Sequence, residues 1–175
     1  MRAPARTRVA SPATAQTLKA TDMDLILWRH AEAEEGEPSD PDMDRRLTAR
    51  GHKHAVRMAT WLGQRLPSKL TLLASPARRT VQTAEALRLD FKTDARLAPG
   101  ASVDDVLETV RWPGRKGLTI VVGHQPTLGQ VVARLVGGRD LDWPMRKGGL
   151  WWLADRERGG TEQVIVRAVI APDLL

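Results

Sequence analysis

Three short apolar runs without polar alternation constrain this chain most: LILW at 25–28, LTLLA at 70–74 and LTIVV at 118–122. A strand that faces water on one side alternates apolar with polar residues, so runs of this kind belong to strands covered on both faces. Segments with helical spacing separate them. LTARGHKHAVRMATWLGQRLP has Thr48 as its N-cap and Ala55, Met58, Ala59 and Leu62 on one face. ARRTVQTAEALRL follows, and then SVDDVLETVRW, capped by Ser102 with two aspartates in its first turn. PTLGQVVARLVGG starts at Pro126 and stops at Gly137, and GLWWLAD with QVIVRAVI forms a terminal hairpin. This alternation predicts an α/β protein: a three-layer helix-sheet-helix arrangement around a mainly parallel sheet.

A chain of 175 residues has room for one well-cored domain, which the pattern places at residues 23–175. Residues 1–22, rich in Ala, Thr, Arg and Pro, lack hydrophobic periodicity and the apolar stretch of a secretory signal. They read as a disordered basic extension, as a transit-peptide-like segment, or as sequence upstream of a start at Met23. Half of the net charge of +6 lies in this segment, and the remainder has no basic block interleaved with aromatics, which argues against nucleic acid as a partner. No apolar run reaches the ~20 residues of a membrane-spanning helix. Cysteine is absent, so thiolate catalysis and cysteine-ligated metals are excluded and a reducing cytoplasm is the natural setting.

Ligands of open α/β sheets bind at the carboxyl ends of the strands. There the first run delivers Arg29 and His30, the second Ser75, Arg78 and Arg79, and the third His124. If the strands are parallel neighbours, two histidines and at least two arginines meet at one edge. Paired guanidiniums hold the oxygens of a phosphoryl dianion, and a neutral imidazole beside them can attack phosphorus and carry the group as a phosphoramidate. Metal-dependent hydrolysis fits less well, because no HxxxH pair is present and arginine is not a ligand. His52 and His54, two apart on a helix, do not share a face. Arg78 and the glutamates at 34, 35 and 37 read as solvated, and Trp151 and Trp152 as packing, whereas Trp28 directly precedes the arginine.

These residues lie in segments that resemble a known family. LWRHAEAE resembles the RHG motif of the histidine phosphatase superfamily, with its phosphoglycerate-mutase-like fold, Ala31 replacing glycine. SPARRTVQTAE matches the second arginine motif, whose spacing selects Arg79, and VVGHQPTL the second histidine motif, giving His124. DRRLTARG is similar to the RPLT-x-x-G segment of the short SixA-type phosphohistidine phosphatases, with Arg45 at the arginine and Arg46 in place of proline.

The resemblance implies that His30 is the nucleophile, that Arg29, Arg79 and His124 bind the phosphoryl oxygens with help from Arg45, and that water hydrolyses the phosphohistidine enzyme. It implies neither a metal nor an organic cofactor. Longer members carry a helical insertion and a glutamate that protonates an alcohol leaving group. Here Pro99 falls at that place, and only 45 residues separate Arg79 from His124, which implies a compact form without the large insertion. Glu32 is the substitute proton donor. The expected activity is therefore removal of phosphoryl groups from protein phosphohistidine. The alternatives are a small-molecule phosphomonoesterase of the same superfamily, with a small phosphorylated substrate, and a non-catalytic phosphoprotein-binding module.

Overall fold

The computed structural model describes residues 23–36, 41–158 and 161–175; the basic extension at 1–22 and Glu37 lie outside them. Six strands form one sheet: β1 (Met23–Arg29), β2 (Leu70–Ala74), β3 (Lys92–Thr93), β4 (Gly117–Gly123), β5 (Leu150–Arg158) and β6 (Thr161–Ile170), in the order β3-β2-β4-β1-β5-β6. The pairs β1 with β4, β4 with β2 and β2 with β3 are parallel, whereas β5 and β6 add the expected hairpin antiparallel to β1. The two-residue β3 is not among the apolar runs of the sequence. Both of its residues are exposed, so no apolar pattern announces it.

Four helices complete the layers. Helix α1 (Ala49–Gly63) begins where Thr48 accepts from the Gly51 amide at 2.9 Å, satisfying one of the unpaired N–H groups of its first turn. Helix α2 (Arg78–Glu85) is shorter than its segment suggests, and Arg88, just beyond it, takes a positive φ of 54°. Ser102 and Asp105 form a reciprocal capping box at the start of α3 (Val103–Val110). Helix α4 (Thr127–Gly137) ends as Gly138 turns left-handed with φ 67°, a conformation that costs glycine nothing.

The alternation of side chains along β1 builds a core on each face of the sheet. Ile26 and Trp28 pack with Ile120, Val122, Met58 and Leu62 under α1 and α2. Leu25 and Leu27 pack with Val121, Val106, Val131 and Val132 under α3 and α4. All four apolar residues of LILW are fully buried, each contributing roughly 1.5–3 kcal/mol relative to exposure, so β1 is anchored from both sides up to Arg29. Between α2 and β4 the chain contains only β3, a short 3-10 turn and α3, which is the compact form without a large insertion. No helix among the described residues is long and apolar enough to cross a membrane.

Candidate active site

The parallel ladder continues one residue beyond the strands. The His30 amide donates to Gly123 O, and the Ser75 amide to Val122 O, each at 3.0 Å. Three adjacent strands thus place Arg29 and His30, Ser75, and His124 at one end of the sheet, and the first turn of α2 adds Arg79. The rings of His30 and His124 lie 5.4 Å apart between centroids. Thr83, a turn after Arg79, ties the two motifs together: its hydroxyl donates to Arg79 O at 2.7 Å and accepts from the Ala31 amide at 3.1 Å.

The protonation of both histidines follows from their surroundings. Burial and then the nearby arginines lower the pKa of His30 to about 4, and a hydrogen bond to the Ala31 carbonyl opposes them only in part. A neutral ring with Nδ1 2.7 Å from that carbonyl must carry its proton on Nδ1, which leaves the lone pair on Nε2. Burial and the charge of Arg79 lower His124 to about 3. Its Nδ1 accepts from Arg79 Nη2 at 3.4 Å, so the proton sits on Nε2 and is donated to Ser75 Oγ at 2.7 Å. Two neutral imidazoles therefore stand among fixed cations at neutral pH.

Each guanidinium is partly held by the protein. Arg29 donates through Nη1 to the Met145 carbonyl, and Arg79 through Nη1 to the Asp42 carbonyl at 2.6 Å and through Nη2 to the Asp42 carboxylate at 2.8 Å. The Nε atoms of both arginines are buried and have no hydrogen-bond partner in the protein. A phosphoryl oxygen suits such donors, since an unmet buried N–H costs about 1–3 kcal/mol and more beside a charge. Trp28 supports the site without facing it, donating to Gly148 O at 2.9 Å, while Gly148 in turn donates to His30 O.

Arg45 lies at the rim, where its charge acts on His30 and its side chain binds Glu34 O and the Asp42 carboxylate. Glu32 is less well placed for its expected part. Arg50 and Thr48 both donate to its carboxylate and hold its pKa down at about 2, so it is ionised and a poor proton donor at neutral pH. Arg78 and His52 are exposed, and Pro99 lies in an exposed turn. Among the described residues, no group of three His, Asp or Glu side chains could hold a metal ion. Nothing in the sequence marks Asp42 or the Met145 carbonyl as partners of the site arginines. An aspartate in a Pro-Asp turn carries no mark of its partner 37 residues away, and a backbone acceptor leaves no trace in residue type.

A site of this composition at the carboxyl edge of such a sheet has the donors and the neutral imidazoles that suit phosphoryl transfer. The comparisons agree: the family model described as the histidine phosphatase superfamily (branch 1) matches residues 25–102. A phosphohistidine phosphatase SixA homolog of Haemophilus influenzae is 31% identical over 134 residues, covering 67% of this chain and 80% of that protein. The chain belongs to the histidine phosphatase superfamily and is a metal-independent phosphatase. Among solved structures, a SixA structure from Nakamurella multipartitia matches with a TM-score of 0.68 at 27% identity, over 86% of this chain and 98% of that one. The protein histidine phosphatase SixA complexed with tungstate matches at 22% identity with a TM-score of 0.71, over 86% of this chain and 98% of that one, a likeness of fold.

Proposed function

We propose that residues 23–175 act as a protein phosphohistidine phosphatase with His30 as nucleophile. Neutral His30, with its lone pair on Nε2 beside two guanidiniums that have buried donors to spare, carries the reading. Nε2 attacks the substrate phosphorus in line, forming an N–P bond as the substrate P–N bond breaks. Arg29, Arg79 and Arg45 hold the equatorial oxygens as charge redistributes, and His124, whose one ring hydrogen is given to Ser75, acts on them through Arg79. The departing imidazole nitrogen takes a proton from solvent. Water then attacks the phosphorus on His30, releasing inorganic phosphate and returning the free imidazole.

The ionisation of the nearby carboxylates supports phosphohistidine over an alkyl ester. An alkoxide needs a strong proton donor as it leaves, whereas an imidazole is a far better leaving group. Arginines lower the pKa of both Glu32 and Asp42, so neither is a ready acid. The likeness to SixA proteins points the same way, and a cysteine-free chain acting on phosphoproteins suits the cytoplasm.

The test offers the purified protein a phosphohistidine-bearing protein beside sugar and nucleotide monophosphates. We expect turnover of the former at least tenfold faster in kcat/KM, and none in His30→Ala. A preference for a metabolite would transfer the assignment to the small-molecule phosphomonoesterases. Full activity in His30→Ala would remove His30 from the chemistry.

A further inference from the structure

Arg79, on which the proposed phosphoryl site turns, already holds an anion that belongs to the chain itself. Asp42 opens a short 3-10 turn, Asp42–Asp44, just before Arg45. Its Oδ2 accepts from Arg79 Nη2 at 2.8 Å and its Oδ1 from Arg45 Nη1 at 3.0 Å, so one carboxylate bridges the two arginines. The side-on edge of a guanidinium, the one that grips an oxyanion with two parallel N–H groups, consists of Nε and Nη2. In Arg79 Nε is buried without a partner, and the two N–H groups of Nη2 face two acceptors, Asp42 Oδ2 at 2.8 Å and His124 Nδ1 at 3.4 Å. With both N–H groups of Nη2 taken, a phosphoryl group that binds this edge with two oxygens has to displace one acceptor or share the guanidinium with the Asp42 carboxylate, whose charge opposes it.

The two partners differ in what separation costs them. The Arg79 side chain is 5% exposed, so its charge requires an anion at hand. The Asp42 side chain is 53% exposed, so the carboxylate can turn into water with little loss of hydration. The contact between the Asp42 carbonyl and Nη1 uses a different donor and need not break. Exchange at Nη2 is thus a local event.

We propose that Asp42 is an internal competitor for the phosphoryl site, occupying Arg79 between turnovers and returning to it as product phosphate departs. It touches no reacting atom and acts through Arg79. Because it stands against every oxyanion alike, it raises the KM for substrate and weakens the grip on inorganic phosphate together, protecting a tight dianion site from arrest by its own product. Held ionised by Arg79 and Arg45, it competes throughout the neutral range. This inference rests on the reading of the site as a phosphoryl site.

The experiment titrates inorganic phosphate calorimetrically into the full chain and into Asp42→Asn, Asp42→Ala and Asp42→Glu at pH 7.5, with KM and product inhibition measured in parallel. Removal of one partly exposed ion pair predicts that Asn and Ala bind phosphate about two- to fivefold more tightly. KM and the inhibition constant for phosphate should fall in step. Asp42→Glu, which restores the charge, should return toward the weaker parent affinity. A role confined to shaping the turn would raise KM instead. Unchanged or weaker phosphate binding in both Asn and Ala overturns the proposal while the phosphoryl site stands. A parent chain that binds no phosphate at millimolar concentration overturns both.

Discussion

Ser75 illustrates how much a single hydroxyl can decide at this site. His124 has two ring nitrogens, and only one arrangement lets its Nδ1 accept from the cationic Arg79: the proton must sit on Nε2, which needs an acceptor, and Ser75 Oγ supplies it at 2.7 Å. In Ser75→Ala the buried Nε2–H loses its partner, and the ring can trade tautomers and present Nδ1–H to a guanidinium that repels it. The cost is about 1–3 kcal/mol, corresponding to roughly a five- to 150-fold loss in kcat/KM. Nitrogen chemical shifts of the His124 ring should report the change of tautomer in the variant. An unaltered tautomer with unaltered kcat/KM would show that Ser75 does not set the ring. His30, Arg29, Arg79 and His124 were legible as a set, because each follows an apolar strand or opens the helix after one. The partners that give them protonation and direction were not: the Ala31 and Met145 carbonyls are backbone, and the carboxylate of Asp42 comes from a turn distant in sequence.

At the level of elements, the segment joining β1 to α1 is fastened by a close backbone approach. The Thr48 amide donates to Glu32 O at 3.0 Å, and that carbonyl lies against the first turn of α1 so tightly that a Cβ on Gly51 would fall 1.9 Å from it. Thr48 and Gly51 of LTARG therefore serve one purpose, Thr48 capping the helix and Gly51 letting the strand extension pass over it. Gly51→Ala forces the two apart, and overpacking of this kind costs about 1–3 kcal/mol. We expect a lower thermal midpoint and a larger loss in kcat/KM than the midpoint alone explains, since the displaced strand extension begins at His30. A variant as stable and active as the parent would mean that the approach relaxes freely. The helix N-caps and the hairpin were readable because caps and alternation are local patterns. The hairpin's anchorage was not: buried Asp24 of β1 accepts from Trp152 Nε1 at 2.9 Å and pairs with Arg167, which stacks over Trp152 at 4.6 Å, and these partners meet only once the sheet has formed. The two-residue β3 and the early end of α2 escaped for the opposite reason, having too few residues to form a period.

For the molecule as a whole, the site that makes phosphoryl chemistry available also sets a limit on acid stability. An unfolded chain titrates its histidines near 6.5, whereas the folded protein lowers His30 to about 4 and His124 to about 3, in both cases first by burial. Between pH 6.5 and pH 4 the unfolded state therefore binds protons that the native state refuses. Stability rises with pH wherever the unfolded state binds more protons, so the fold weakens as pH falls through this window. With His30 8% and His124 5% exposed, solvent screens little of the effect, and the loss by pH 4.5 is on the order of 2 kcal/mol per histidine. Carboxylates whose pKa the fold lowers, such as Asp42 and Asp94 beside their arginines, also lose their contribution in acid, but only below about pH 4, so the two contributions separate on the pH axis. Urea denaturation of the parent at pH 7 and pH 4.5 should show the drop. Replacing both histidines by asparagine should flatten it across this window while leaving the steeper fall below pH 4, whatever the double variant's stability at pH 7. A drop of equal size in that variant would assign the acid sensitivity to other groups and mean that His30 and His124 are not held neutral by the fold.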